Sequence, residues 1–554
     1  MRFPATLVLL LTLGPAVTIA QPPAAPRTHA EITNFEETTS YADVLRFVND
    51  VVEASPLARS ERFGASEEDR VLPLLMLSDP GIVTPAEARK LGRPIVLVMA
   101  NIHAGEVEGK EAALMLARRL TTGDLQPLLT QAVVLIAPIY NADGNERVSL
   151  DNRRAQNGPV GGVGTRENAK GLDLNRDFMK LDSAEARSLV GLLNRWDPHV
   201  IVDLHTTNGS YHAYHLTYAP PLNPNTDPRL TAFARERLLP TVRQTTEQRH
   251  GVRTYYYGNF TTEAGTPHPP LVDPARPGDV VWRTFDHRPR FGTNYAGLRN
   301  RLAVLSEAYS YVDFARRVRS TEAFVEEVLR YVAAHGKEIQ TLIAQVDRDT
   351  ADGARAGTHA PLGVEFVGEA LPDPVEILVS DVRTTVNPRS GHEMREMTEQ
   401  VSPVRMKDYG LFGAARTVPM PRGWLIPGPS VANGRLTLAL ERLRVHGVVI
   451  EELAADATVE VERFFIEGIT RAERPFQGRY ETRLRGRMDA ARFLAPAGSL
   501  FVPAGQPLGR LAFYLLEAES DDGFVTWNVI DDGLAAGETY PIYRVTNATP
   551  LKLK

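Results

Sequence analysis

The chain has 554 residues, 43% hydrophobic and 23% charged, the balance of an ordinary soluble globular protein and too long for one core, so two or three domains are expected. Its 62 Lys and Arg against 68 Asp and Glu leave a net charge of −6, which gives no electrostatic case for nucleic acid or an anionic membrane as partner. The absence of cysteine excludes disulfides and thiolate metal sites, so any bound zinc has to be held by His and carboxylates.

The chain opens with Arg2, an apolar run over 7–13, and Thr18-Ile19-Ala20 before Gln21. That is the pattern of a signal peptide occupying 1–20, which predicts export to the periplasm or the extracellular space. The run is short and broken by Gly14-Pro15, which argues against a stable membrane anchor. A Pro/Ala-rich lead-in follows over 21–29. Val44, Leu45, Phe47, Val48 and Val51 fall at helical spacing and predict a helix over 41–53. Residues 71–77 read as a strand, and 94–100 as a buried strand running almost straight into His103. Strong helix formers predict a helix over 106–120, and 132–139 reads as a further buried strand before the turn Tyr140-Asn141-Ala142-Asp143-Gly144.

Residues 183–196 are expected to be helical, and 199–204 to form a strand ending at His205. The segment 227–249 reads as a helix capped by Asp227, with Pro228 in its first turn. The Pro-rich stretch 266–289 is expected to loop over a cleft. A short strand over 302–305 leads to Glu307, and a long amphipathic helix covers 321–346. Strands alternating with helices predict an α/β fold with a mainly parallel mixed central sheet flanked by helices over 30–348. Residues 349–361 read as a linker, and 360–554 as a β-rich, sandwich-like C-terminal module. Its expected strands include 364–367, 375–379, 459–466, 513–516 and 524–529, with a helix over 436–446.

Ligands in open α/β sheets sit at the C-terminal ends of strands, and His103, His205 and Glu307 each follow a predicted strand closely. His103 and Glu106 lie three apart across a strand-to-helix turn, and His205 can join them if its strand is a neighbour. Such a set leaves one position of a zinc ion open for water. Glu307 is the candidate base that takes a proton from that water. Asn175-Arg176 offers a carboxylate clamp, because a guanidinium presents a planar fork and Asn adds a donor.

Taken together these residues resemble the zinc carboxypeptidases of the carboxypeptidase A-like, funnelin type. His103-Ala104-Gly105-Glu106 matches that family's HxxE zinc motif, Leu174-Asn175-Arg176 its Asn-Arg pair, and His205 its third ligand. Asn141-Ala142-Asp143-Gly144 resembles its Asn-Pro-Asp-Gly turn, with Ala142 in place of Pro. Ser306-Glu307 resembles the segment carrying the catalytic glutamate, although the expected Thr is displaced. The resemblance spans roughly 40–346 and implies one Zn2+ per chain and a peptide or peptide-like substrate with a free C-terminal carboxylate. It also implies an arginine for the transition-state oxyanion, with Arg166 first and Arg153 or Arg154 as alternatives, and a closing tyrosine, for which Tyr295 is the candidate. His212 and His215 are read as pocket wall.

Two other readings stand beside this one: an aspartoacylase-like zinc deacylase or amidase, and a binding protein on a peptidase scaffold with the β-rich module as its working part. Side-chain preference, oligomeric state and the role of the module are not legible in the sequence.

Overall fold

A computed structural model describes residues 25–548 and 551–554, so the signal-peptide reading of 1–20 lies outside the described residues. The architecture is α/β: an eight-stranded mixed sheet flanked by helices, followed by a β-rich C-terminal region. Among the described residues, ten strands precede residue 310. They are β1 (Ala58–Ala65), β2 (Val71–Leu77), β3 (Ile95–Ala100), β4 (Val133–Ala137), β5 (Val200–Thr207), β6 (Leu216–Ala219), β7 (Thr254–Tyr256), β8 (Asn259–Thr261), β9 (Val281–Arg283) and β10 (Leu302–Tyr309). The large sheet runs β1-β2-β4-β3-β5-β10-β6-β7. Its centre, β4-β3-β5-β10, is parallel, and the pairs β1-β2, β2-β4 and β10-β6 are antiparallel.

β3 and β4 are buried at every position, as strands covered on both faces must be. The helix Glu108–Thr122 lies so close to β5 that a Cβ on Gly109 would stand 2.7 Å from Leu204 Cβ. The expected helix starts hold at Ser183, whose side chain accepts from Ala186 N, and at Asp227, which accepts from Arg229 N.

Several expectations are corrected. His205 and Glu307 do not follow their strands but lie within them, because β5 and β10 continue to Thr207 and Tyr309. The long helix runs Phe314–Ala356, so most of the expected linker is helical; Ala, Asp and Arg continue the helix until Gly357 caps it at φ 64°. In the C-terminal region Leu362–Glu369, Val375–Val386 and Ala457–Arg471 are strands and Thr437–His446 is a helix. Residues 513–516 belong instead to the buried helix Gly509–Leu516, and 524–529 form turns. Both are short apolar runs, whose helix or strand state periodicity alone does not decide.

The C-terminal strands form two two-stranded ribbons and a six-stranded sheet. One further two-residue strand, Asp408–Tyr409, pairs with β9 and so extends the small β8-β9 sheet. The apolar core is continuous from Val44 through Leu204 and Val346 to Trp424 and Ile542. No helix among the described residues is long and apolar enough to cross a membrane.

Candidate metal centre and cleft

At the end of β3 the chain turns sharply. Asn101 takes a left-handed φ of 65°, a conformation Asn tolerates better than most residues, and its side chain donates to Asn145 Oδ1 at 3.1 Å. The turn brings His103 and Glu106 against β5, where His205 is the Cα partner of Glu307 on β10. Strand alternation then sets Asp203, His205 and Thr207 on one face of β5, and Leu305 and Glu307 on the same side of β10.

His103 Nδ1 lies 3.1 Å from Glu106 Oε1, and His205 Nδ1 lies 3.0 Å from Glu106 Oε2. The other nitrogen of each ring faces a carboxylate. His103 Nε2 is 2.9 Å from Asp173 Oδ1, and His205 Nε2 is 2.9 Å from Asp203 Oδ2. Asp173 therefore orients the His103 ring so that Nδ1 faces inward, as orienting carboxylates do behind metal-binding histidines, and Asp203 stands behind His205 at ion-pair distance. Donor atoms of His103, Glu106 and His205 all lie within 4.8 Å of one another, and all three residues are buried. Two imidazoles and one carboxylate fit a tetrahedral zinc with one position left open.

The electrostatics agree. Burial pushes the Glu106 carboxyl up, but His103 and Arg153 hold it well below the usual carboxylate range. Burial disfavours charge on His205, yet Asp203 and Glu106 carry its proton affinity well above that of an ordinary histidine. The centre attracts positive charge strongly and takes a proton when no metal is bound. Burial pushes the Glu307 carboxyl up to about 8, with His205 opposing the shift and Glu106 adding to it. A second trio, His250, Glu326 and Glu327, has the right residue types. Arg119, Arg249 and Arg330 already neutralise its carboxylates, so it fits ion pairing rather than a metal.

These groups open onto a cavity of about 300 Å³ whose walls include Arg153, Arg166, Asn175, Arg176, Tyr257, Phe291 and Glu307. Asn175 and Arg176 sit on a single turn of helix, Leu174–Arg176, capped by Asp173, whose side chain accepts from Asn175 N. Asn175 Oδ1 accepts from Gly292 N at 2.9 Å. The Arg176 guanidinium lies 3.9 Å from the centroid of the Phe291 ring, and its Nη1 donates to Asn175 O at 2.8 Å. Arg166 Nε donates to Asp173 Oδ2 at 3.0 Å, and its Nη1 is 3.2 Å from His103 Nδ1. Arg153 grips Glu106 through Nη2. Arg154 is exposed and pairs with Asp151, away from the cavity.

Seven of the eight first-choice site residues thus meet in one cavity, together with the alternative Arg153. Tyr295 does not. It is fully buried, its hydroxyl is 2.9 Å from His446 Nδ1, and its ring packs on Phe178, so the expectation that it closes over a ligand is corrected. The tyrosine on the cavity wall is Tyr257, whose hydroxyl accepts from Asn259 Nδ2 at 3.0 Å; burial and the nearby Glu307 push its phenol up to about 12. His212 and His215 are not cavity wall either. His212 packs on Tyr309 with ring centroids 4.0 Å apart, and His215 lies 2.8 Å from Arg316 Nη2. Sequence reasoning also missed Asp173 and Asp203 as orienting groups. The signal was there for Asp203, two residues before His205 on a strand.

Residues 44–236 match the model of the zinc carboxypeptidase family. The chain is 24% identical over 501 residues to carboxypeptidase 2 of Trichophyton tonsurans, which covers 87% of this chain and 81% of the relative. It is 33% identical over 152 residues to carboxypeptidase Z of Mus musculus, covering 26% of this chain and 22% of that protein. Among solved structures, a metallo-carboxypeptidase from Pseudomonas aeruginosa in complex with (2-guanidinoethylmercapto)succinic acid aligns with a TM-score of 0.37 at 20% identity, over 55% of this chain and 70% of that one. The buried His-Glu-His cluster lies inside the matched segment, so residues 44–236 carry a zinc carboxypeptidase domain, of the metallocarboxypeptidase hydrolase class.

Proposed function

We propose that this protein is an exported carboxypeptidase that hydrolyses the C-terminal peptide bond of its substrates, with one zinc ion per chain held by His103, Glu106 and His205. The observation that carries the reading is convergence: a two-histidine, one-carboxylate donor set, a spare glutamate and an Asn-Arg pair all line one cavity of about 300 Å³. When bound, zinc supplies Lewis-acid polarisation of a carbonyl and makes water a stronger acid. Glu307 takes the proton from the attacking water and passes it to the leaving amine, a task suited to a spare carboxyl on the cavity wall beside His205. Arg176 and Asn175 bind the terminal carboxylate and so fix which bond reaches Glu307.

Arg166 is the first choice for stabilising the oxyanion. It lies beside His103 and keeps about a third of its side chain exposed, whereas Arg153 is committed to Glu106. Tyr257 takes the place first given to Tyr295 as the aromatic hydroxyl over the cleft. The division into a catalytic part, 30–348, and a β-rich module, 360–554, is read from the change in sequence texture, and export from the sequence of residues 1–20. The 501-residue alignment with a carboxypeptidase extends well beyond the catalytic part and favours peptides over small acyl-amino acids.

The test is metal content of the purified protein together with release of C-terminal residues from peptides before chelation, after it, and after zinc is restored. About one zinc per chain with restorable peptide trimming supports the proposal. Zinc with turnover of acyl-amino acids alone points to the deacylase, and no zinc removes the assigned centre.

A further inference from the structure

The carboxylate clamp is not held by the catalytic part alone. Asn175 is oriented by the backbone N–H of Gly292, and Arg176 rests on the ring of Phe291. Among the described residues, apart from its bond to Asn175 O, Arg176 has only a distant ion-pair partner in Asp173, at 3.9 Å. The placement of both clamp residues therefore follows that of 291–292. The preceding residue, Arg290, is anchored in the C-terminal region. Its backbone N donates to Asp522 Oδ2 at 2.7 Å, its Nε to Asp522 Oδ1 at 2.8 Å, and its Nη1 to Glu481 Oε1 at 2.6 Å. The guanidinium lies 4.4 Å from a Trp527 ring centroid, and Trp527 Nε1 donates to Asp522 Oδ1 at 2.9 Å. Arg290, Asp522 and Trp527 are all buried. A second anchor reaches the clamp turn from the other side, where Gln477 Oε1 accepts from Asp173 N at 2.7 Å.

We propose that Asp522 is a positioning residue for terminal-carboxylate recognition: through Arg290 it fixes the Phe291-Gly292 segment against which Asn175 and Arg176 are aimed. The C-terminal region is then part of the substrate site, although none of its described residues lines the cavity. The inference rests on the proposed function in one respect, the assignment of carboxylate binding to Asn175 and Arg176. A bidentate arginine loses much of its value when its plane is free to tilt, so loss of the anchor weakens carboxylate binding and leaves chemistry at the metal centre intact.

The experiment compares the parent protein with Asp522→Asn, Glu481→Gln, Arg176→Ala and the double variant Asp522→Asn/Arg176→Ala. Each is checked for zinc content and thermal unfolding. Binding of 3-phenylpropanoate, a free carboxylate, is measured by calorimetry; inhibition or binding by acetohydroxamate reports on the metal alone. With Asp522→Asn, KM for peptides and Kd for 3-phenylpropanoate are expected to rise about tenfold, with kcat within about twofold and the hydroxamate unaffected. In the Arg176→Ala background the same substitution adds nothing, since both act on one interaction. If Asp522→Asn does not fold, Glu481→Gln carries the test, with a shift of about two- to threefold in the same direction.

Unchanged carboxylate binding in a folded variant, additive effects with Arg176→Ala, or equal losses for carboxylate and hydroxamate would each overturn the inference. The calorimetric arm needs no turnover. A parent protein that binds the carboxylate but cleaves no peptide refutes the proposed function while leaving the positioning role open to this same measurement. A parent that does not bind the carboxylate refutes the positioning role.

Discussion

The imidazoles of His103 and His205 stand 5.0 Å apart between ring centroids, inclined at 62°, with Nδ1 of each turned to the same carboxylate, that of Glu106. Two rings from distant parts of the chain take this pose because an aspartate stands behind each. Removing the support without removing the ligand therefore has a cost. Asp203→Asn is expected to weaken zinc binding by about 10- to 100-fold with the fold retained, read by competition with a chromogenic chelator.

Zinc and protons compete for this centre. The metal-free His205 holds its proton well above the ordinary histidine range because of Asp203 and Glu106. Zinc uptake at neutral pH is expected to release protons, and apparent affinity to rise with pH until His205 is neutral in the metal-free protein. Calorimetry in buffers of differing ionisation enthalpy reads the proton count; an affinity flat between pH 6 and 8 would contradict the assignment.

Glu307→Gln preserves shape and removes the base. The variant is expected to keep zinc and its melting temperature while kcat falls by about 100- to 10,000-fold. Near-normal turnover would show that another group moves the proton.

The two tyrosines separate by experiment. Tyr295→Phe loses one buried hydrogen-bond partner of His446 and is expected to cost about 1 kcal/mol of stability with kinetics unchanged. Tyr257→Phe removes the hydroxyl on the cavity wall and is expected to alter KM or kcat by a few-fold with stability nearly unchanged. The reverse pattern would restore Tyr295 to the cleft.

Most of the site was legible because its parts are local in sequence or locked to strand ends. His103 and Glu106 share one turn, Asn175 and Arg176 are adjacent, and β5 and β10 are continuous apolar runs that announce His205 and Glu307. Tyr295 was misplaced because an aromatic shortly before a site strand looks the same whether it faces the cleft or the core. Its partner His446 lies 151 residues away, on a helix that no local pattern ties to it. Strands at 513–516 and 524–529 are wrongly expected for a related reason: both are short apolar runs buried in a shared core, where the run alone does not separate helix, strand and turn.

One prediction lies outside the cleft. Glu185 is fully buried and accepts from Asn168 Nδ2 and Glu67 N at 3.2 and 3.3 Å, and burial pushes its carboxyl up to about 7 from 4.5. Between those two values the folded chain keeps a proton that the unfolded chain has released. Stability therefore falls as pH rises through this window, the opposite of the usual carboxylate. Glu185→Gln is expected to remove about 2–3 kcal/mol of that decline, visible as a smaller loss of unfolding free energy between pH 5 and pH 8 than in the parent.

The helix Phe314–Ala356 passes through residue 348 without a break, and Thr350, Ala351 and Ala354 beyond it are buried. There is consequently no hinge at residue 348. A chain stopped at 348 would end in mid-helix and bare the apolar surface that Trp424 and Ile542 cover in the intact core. Limited proteolysis is expected to nibble exposed loops such as 262–279 long before it frees a catalytic fragment. Two regions that differ in texture along the sequence would therefore unfold as one cooperative body.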